Sequence, residues 1–118
     1  MKKYALFLVL GLMAWGACTE REKRPEVFLD EPQMIDVLTD AYLIEAKLNM
    51  RKSAGGEVSS LQVAFYDQLF EHYGITDSIF VQNMRYYTER PAVLEKIMDS
   101  VTQRLTREQS QLRRSDSK

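Results

Sequence analysis

Glu45 is the residue whose type and position most suggest chemistry in this sequence. It stands at helical spacing between Leu38, Ala41 and Leu48, so a carboxylate falls near the centre of an apolar helix face. A desolvated carboxylate in a pocket could bind a ligand or transfer protons. The same carboxylate paired with an Arg, a Tyr or a backbone donor would stabilise a core instead. We favour the paired state, because the sequence offers Glu45 no second catalytic partner.

The predicted helix at about 76–89 carries polar groups on its apolar face, at Asn83, Tyr86 and Tyr87. A buried polar group without a partner costs about 1–3 kcal/mol, so each of them requires one. A buried unpaired carboxylate is neutralised by a raised pKa, so we expect Glu45 to meet a donor. The predicted donors are Tyr86, Tyr87, Arg85, Asn83 or a helix N-terminal amide. The tyrosines come first, because their hydroxyls also need partners when buried.

Residues suited to metal binding are few. Asp36 and Asp40 are four apart, but they lie toward the polar side of their helix, where a solvated face is the simpler interpretation. His72 is the single histidine and Cys18 the single cysteine, which excludes a zinc site built from such ligands. The sequence therefore predicts no metal, no cofactor and no enzymatic activity. Asp40 joins Glu45 as a candidate for a buried polar network or an interaction site.

Residues 1–17 are typical of a cleaved signal peptide. Lys2 and Lys3 precede an almost unbroken apolar run, which is too short to span a membrane as a mature helix. Cleavage after Gly16 is one possibility, because Ala14 and Gly16 form a small-x-small site.

Cys18 indicates a different cleavage site, which we favour because a lone cysteine at this position has no other evident use. It follows Gly16 and Ala17 at the end of the apolar run, which resembles the lipobox of bacterial lipoproteins, although Trp15 stands where a lipobox usually has leucine. This resemblance implies cleavage before Cys18 and a diacylglyceryl group on its sulfur, which makes the membrane a partner. Thr19 in place of Asp favours the outer membrane, by the sorting rule of enteric lipoproteins. The sequence does not distinguish the periplasmic face from the surface.

Composition predicts one small domain. The 118 residues are 45% hydrophobic and 28% charged. We predict a lipidated flexible tether at 18–27, a helical domain at 28–112 and a disordered basic tail at 113–118. Without Lys2 and Lys3, the 16 basic residues fall to 14 against 17 acidic ones, a balance that does not suggest nucleic-acid binding.

Start and stop signals divide the domain into a small all-α bundle of three to four helices, at about 31–52, 60–73, 76–89 and 91–112. Asp30 and Thr76 are N-cap residues, and Gly74 between them is a C-cap residue. Pro91 fits the first turn of the last helix. Short connections require consecutive helices to be neighbours in space.

The second predicted helix has the broadest apolar surface. Its apolar and aromatic residues cover nearly half of its circumference, so we expect it to be the most buried helix. Ser59 or Ser60 is the expected N-cap. The short apolar patch at 27–29, just before the first helix, is expected to fold back on the core.

An ordered set of residues resembles the small bacterial lipoprotein family catalogued as domain of unknown function 4296. The set consists of Met34, Ile35, Leu38, Asp40, Glu45, Ala46, Tyr66, Gly74, Ile75, Thr76, Phe80, Tyr86, Tyr87, Pro91, Leu94, Ile97, Val101 and Leu105. The resemblance covers Phe28–Leu105. It departs at Asn83, where the family usually has serine. It implies a short helical lipoprotein and supplies no activity.

Two functions follow as expectations. The first is a membrane-anchored interaction or accessory module of the cell envelope, presenting a groove to a protein or peptide. The alternative is a small ligand-binding protein or hydrolase that uses Glu45 with Asp40, Tyr86 or Tyr87. A solvent-open pocket around Glu45 would favour the alternative, and a closed, hydrogen-bonded Glu45 would favour the first.

Overall fold

The computed structural model describes residues 23–117, which form four helices and no strand. The helices are α1 (Glu31–Ser53), α2 (Ser59–Tyr73), α3 (Asp77–Thr88) and α4 (Pro91–Asp116). The predicted all-α fold is therefore confirmed. Within this part of the chain, no helix has both the length and the hydropathy that a membrane crossing requires.

A capping box begins α1. The Asp30 carboxylate accepts a hydrogen bond from the Gln33 backbone N–H at 3.0 Å, and the Gln33 side chain accepts one from the Asp30 N–H at 3.0 Å. Two N–H groups that the helix leaves without partners are thereby satisfied, and the predicted N-cap at Asp30 is confirmed. The helix ends just before Gly55, whose φ of 82° cannot continue it.

The start of α2 differs from the expectation. Neither Ser59 nor Ser60 caps the helix through its side chain, because the N-cap position falls on Val58. The Glu57 carboxylate accepts hydrogen bonds from the Ser59 N–H at 2.5 Å and the Ser60 hydroxyl at 3.2 Å. These bonds favour the charged form and hold the pKa of Glu57 below its usual value.

The joint between α2 and α3 is tight and follows the predicted signals. Gly74 adopts a φ of 64°, and the Ile75 N–H donates to the Phe70 carbonyl at 2.9 Å. This arrangement satisfies carbonyls at the end of α2 and buries Ile75. Thr76 then caps α3 by accepting a hydrogen bond from the Ile79 N–H at 3.2 Å.

The last helix is longer than predicted. It continues to Asp116, so residues 113–116, expected to be a disordered basic tail, are helical. No glycine or proline follows Pro91 to stop the helix. Arg113 and Arg114 lie in its last turn, where positive charge interacts favourably with the helix dipole.

The core lies where α1, α4 and the segment before α1 meet. Helix α1 packs against α4 and α2, and α3 packs against α4. Phe28 and Leu29 fold back on this core as expected, while Val27 stays 48% exposed. The buried cluster comprises Leu29, Met34, Val37, Leu38, Ile75, Tyr87, Ile97 and Val101.

The expectation that α2 is the most buried helix is wrong. Leu69 is its one buried residue, whereas α1 contributes six. The reason is that α2 packs mainly against α1. A broad apolar surface indicates how much of a helix can be covered, and it does not show that a neighbour covers it.

Candidate functional site

The predicted site residues fall into two separate groups. Asp40 and Glu45 lie on α1 where it faces α2. Asn83, Tyr86 and Tyr87 lie on α3, beside the segment that precedes α1. Cys18 lies outside the described residues. The five candidates therefore do not form a single network.

Glu45 has a donor, but not one of those predicted. The Tyr66 hydroxyl of α2 donates to the Glu45 carboxylate at 2.6 Å, and the pair is part-buried. The prediction of Tyr86, Tyr87, Arg85 or Asn83 is wrong because this face of α1 meets α2 instead of α3. Glu45 is half-buried, so its carboxylate keeps partial contact with solvent.

Asp40 is also paired. The Tyr73 hydroxyl donates to it at 2.6 Å, and burial followed by this hydrogen bond raises the pKa of Tyr73. The Asp36 side chain forms an ion pair with Arg104 of α4. Both side chains of that ion pair are more than 40% exposed, so it adds little stability. Asp36 and Asp40 thus remain partly exposed on the predicted polar side of α1, and each also makes a specific contact.

The two tyrosines were missed in the sequence, although a signal was available. Tyr66 and Tyr73 are seven residues apart, which is about two helical turns and places both hydroxyls along one edge of α2. Tyr73 pairs with the earlier carboxylate and Tyr66 with the later one, as two antiparallel helices require. The pairs thus fix the register between α1 and α2.

Replacing Tyr66 with phenylalanine is expected to lower the free energy of unfolding by about 0.5–1.5 kcal/mol, the usual net value of one hydrogen bond. Urea unfolding followed by circular dichroism measures this change. Tyr42→Phe is the matched control, because the Tyr42 side chain is 45% exposed. In a double-mutant cycle, the variant that combines Tyr66→Phe with Glu45→Ala should lose less free energy of unfolding than the sum of the losses of the two single variants. Strict additivity would contradict the pair.

A pH series gives a second measure of the same pair. Burial, then the hydrogen bond to Glu45 and its charge, raises the pKa of Tyr66 to about 12. A folded pKa above the unfolded value of about 10 stabilises the fold below pH 10, and this contribution is lost as the pH rises through about 12. Tyr66→Phe should therefore flatten part of the alkaline loss of stability.

Asn83 holds the segment before α1. Its side chain is fully buried, and its Oδ1 accepts from the Leu29 N–H at 2.8 Å. Its Nδ2 donates to the Val27 carbonyl at 2.9 Å and to the Ile79 carbonyl at 2.8 Å. The predicted need for a partner is met by three backbone groups, of which those of Leu29 and Val27 lie more than 50 residues earlier in the chain.

Tyr87 adds a further contact to the same segment. Its hydroxyl donates to the Leu29 carbonyl at 2.7 Å, and burial raises its pKa to about 12. Tyr86 contributes packing instead: its ring meets Phe28 edge-on at 5.2 Å, and the Arg90 guanidinium lies 3.6 Å from its ring centre. This group therefore has a structural role, joining residues 27–29 to α3.

A concave surface lies elsewhere, along α2 and the first residues of α3. We call it the α2–α3 groove; it has a volume of about 680 Å³ and opens to solvent. Its apolar part comes from Val63, Tyr66, Phe70 and Ile75, and its carboxylates from Asp67, Glu71 and Asp77. A second groove of about 310 Å³ on the other side of α2 includes Asp40. Glu45 lines neither of these two grooves.

The residues around these grooves present hydrogen-bonded carboxylates, apolar atoms and surface charge. Among residues 23–117, no cluster of three or more His, Cys, Asp or Glu side chains could hold a metal ion. The carboxylates of Asp40 and Glu45 each accept a tyrosine hydroxyl. The α2–α3 groove offers apolar atoms and surface charge to a binding partner.

Comparison with known proteins yields one match. No curated protein and no solved structure matches the chain. The model of the family described as Domain of unknown function (DUF4296) matches residues 25–111, which include the positions that carry the resemblance. The chain therefore belongs to the family described as Domain of unknown function (DUF4296).

Proposed function

We propose that this protein is a lipid-anchored helical module of the cell envelope that docks a protein or peptide. The α2–α3 groove is the observation that carries the proposal: it is open, part apolar and placed on the least buried helix. The hydrogen-bonded states of Asp40 and Glu45 support a structural role for those carboxylates. The protein acts by binding, as an accessory of another envelope component.

The anchor in this proposal rests on Cys18 and the segment before it. A diacylglyceryl group on Cys18 holds the protein at a membrane, because each buried CH₂ contributes about 0.8 kcal/mol. Thr19 favours the outer membrane. The predicted tether at 18–27 spans at most about 35 Å when fully extended, so residue 27 stays within that distance of the bilayer.

One experiment tests both halves of the proposal. A photocrosslinking amino acid at Val63, which lines the groove and is 62% exposed, is introduced into the full-length chain in its native envelope. We expect the protein to sediment with membranes and to form protein adducts on illumination. Cys18→Ser should move it to the soluble fraction or leave the precursor uncleaved. The same probe at Met50, which is 74% exposed and outside the groove, is the control.

Three results would contradict the proposal. If Cys18→Ser is processed normally and still sediments with membranes, the proposed lipid anchor is wrong. A mature N-terminus at Ala17 without lipid would show ordinary signal cleavage. Absence of protein adducts from every surface position tested would remove the docking function.

A further inference from the structure

The charged residues that line the α2–α3 groove are all acidic. Asp67, Glu71 and Asp77 contribute carboxylates to it, and no Lys or Arg lines it. The sequence around it follows the same rule, because no Lys or Arg occurs between Lys52 and Arg85, while four acidic residues do. Most basic residues of the described chain lie on α1, α4 and the segment before α1, and none of them lines this groove.

The apolar part of the groove is already formed. The Tyr66 hydroxyl is fixed by Glu45, and the Phe70 ring lies 5.6 Å from the Phe80 ring of α3. Ile75 is only 9% exposed, held by the C-cap turn. Val63 is 62% exposed on the same surface. A partner therefore meets a surface whose main side chains are held in place, which lowers the entropy lost on binding.

We propose that this groove binds a cationic amphipathic segment of a partner protein: apolar side chains flanked by Lys or Arg. The inference rests on the proposed docking function and names the chemistry of its partner. Apolar anchors pack on Tyr66 and Phe70, as an amphipathic helix does in a hydrophobic groove. The flanking cations face Asp67, Glu71 and Asp77, and this complementarity sets specificity and the rate of association.

A second copy of this chain fits the groove less well. Two of its helices end in basic residues: α4 with Arg107, Arg113 and Arg114, and α1 with Lys47, Arg51 and Lys52. Neither end has an apolar face to offer, because Leu112 is the one large apolar residue among 106–117, and at the end of α1 Leu48 is buried and leaves Met50 alone. A separate partner supplies both properties required by the groove.

The test uses the purified full-length lipoprotein in mild detergent, with the photocrosslinking amino acid at Val63. The probes are two synthetic helical peptides with all leucines on one face and either Lys or Glu on the other. Adduct yield against peptide concentration gives an apparent Kd at the groove itself. We expect adducts with the Lys peptide and at least tenfold weaker binding of the Glu peptide.

Charge variants locate the effect. The double variant Asp67→Asn with Glu71→Gln should weaken binding of the Lys peptide about tenfold at low salt. Glu95→Gln with Asp99→Asn, two exposed acids of α4 at the same four-residue spacing, should change it less than about twofold. High salt should shrink the difference between the two double variants, because exposed charges are screened.

The outcomes separate this inference from the proposed function. Equal adducts from the Glu peptide, or equal weakening by both double variants, would overturn the cationic partner. If the Lys peptide forms no adduct while Val63 still forms protein adducts in the native envelope, the inference is overturned and the docking function remains. Adducts in the native envelope that map to a second copy, or to residues 18–22 of the same chain, would also overturn it. Absence of any native adduct would overturn the proposed function, and the partner assignment with it.

Discussion

Replacing Tyr87 with alanine is expected to lower the free energy of unfolding by about 3–5 kcal/mol, the usual cost of truncating a buried aromatic side chain. Tyr87 is 1% exposed, and its ring lies 5.2 Å from that of Tyr86 and 6.0 Å from that of Phe28. The variant would leave a cavity between α3 and the core and would strand the Leu29 carbonyl. Urea unfolding followed by circular dichroism measures the loss.

Two variants separate packing from hydrogen bonding in this prediction. Tyr87→Phe keeps the ring and removes the hydroxyl, so it should cost only about 1–2 kcal/mol. Tyr42→Ala removes a side chain that is 45% exposed and should cost less than about 1 kcal/mol. Equal losses from Tyr87→Phe and Tyr87→Ala would contradict the packing argument, because the ring would then contribute nothing.

The ends of the helices could be predicted because each depends on residues within a few positions of one another. Asp30 with Gln33 begins α1, Gly74 with Ile75 ends α2, and Thr76 begins α3. These bonds form inside a single turn, so the local sequence is enough to determine them. The predicted N-cap of α2 is wrong because the helix begins directly after Val58, and Glu57 just before it accepts hydrogen bonds from the Ser59 N–H and the Ser60 hydroxyl.

The partner of Glu45 could not be predicted, because helix periodicity does not specify which neighbour a face meets. The pattern correctly placed Glu45 toward another helix. It could not distinguish Tyr66 on α2 from Tyr86 or Tyr87 on α3, since all three lie on apolar faces of their own helices. Only the packing of α1 on α2 decides between them.

The α2–α3 groove is a similar case. The breadth of apolar surface on α2 was visible in the sequence, and burial was the expected consequence. With α1 as its main neighbour, Phe70 and Tyr66 stay half-buried and Val63 stays exposed. The absence of Lys and Arg between Lys52 and Arg85 was a charge signal that hydrophobic periodicity does not detect.

The need of Asn83 for a hydrogen-bond partner could be predicted from its own helix, but the identity of that partner could not. The sequence required a partner for an amide on an apolar face, and the structure supplies the backbone of residues 27–29. This segment has no helical or strand hydrogen bonds of its own. A buried amide is able to satisfy it because one side chain both accepts and donates.

Replacing Asn83 with alanine is therefore expected to lower the free energy of unfolding by about 2–4 kcal/mol. The Leu29 N–H, which lies in the core, would lose its acceptor, and the Val27 carbonyl would lose a donor. The loss should have a local signature: hydrogen exchange at the Leu29 amide should accelerate more than exchange at Val101 in α4. Chemical denaturation and native-state hydrogen exchange measure the two effects.

Asn83→Leu distinguishes the loss of the amide hydrogen bonds from the loss of side-chain volume. Leucine has the same branched shape and a larger volume, so no cavity would remain, whereas the Leu29 N–H would still lack an acceptor. We expect Asn83→Leu to remain at least about 1 kcal/mol less stable than the wild type. Gln82→Ala, at the exposed neighbouring position on α3, should change stability by less than about 0.5 kcal/mol. Full recovery by Asn83→Leu, with unchanged exchange at Leu29, would show that packing and not the amide fastens residues 27–29 to α3.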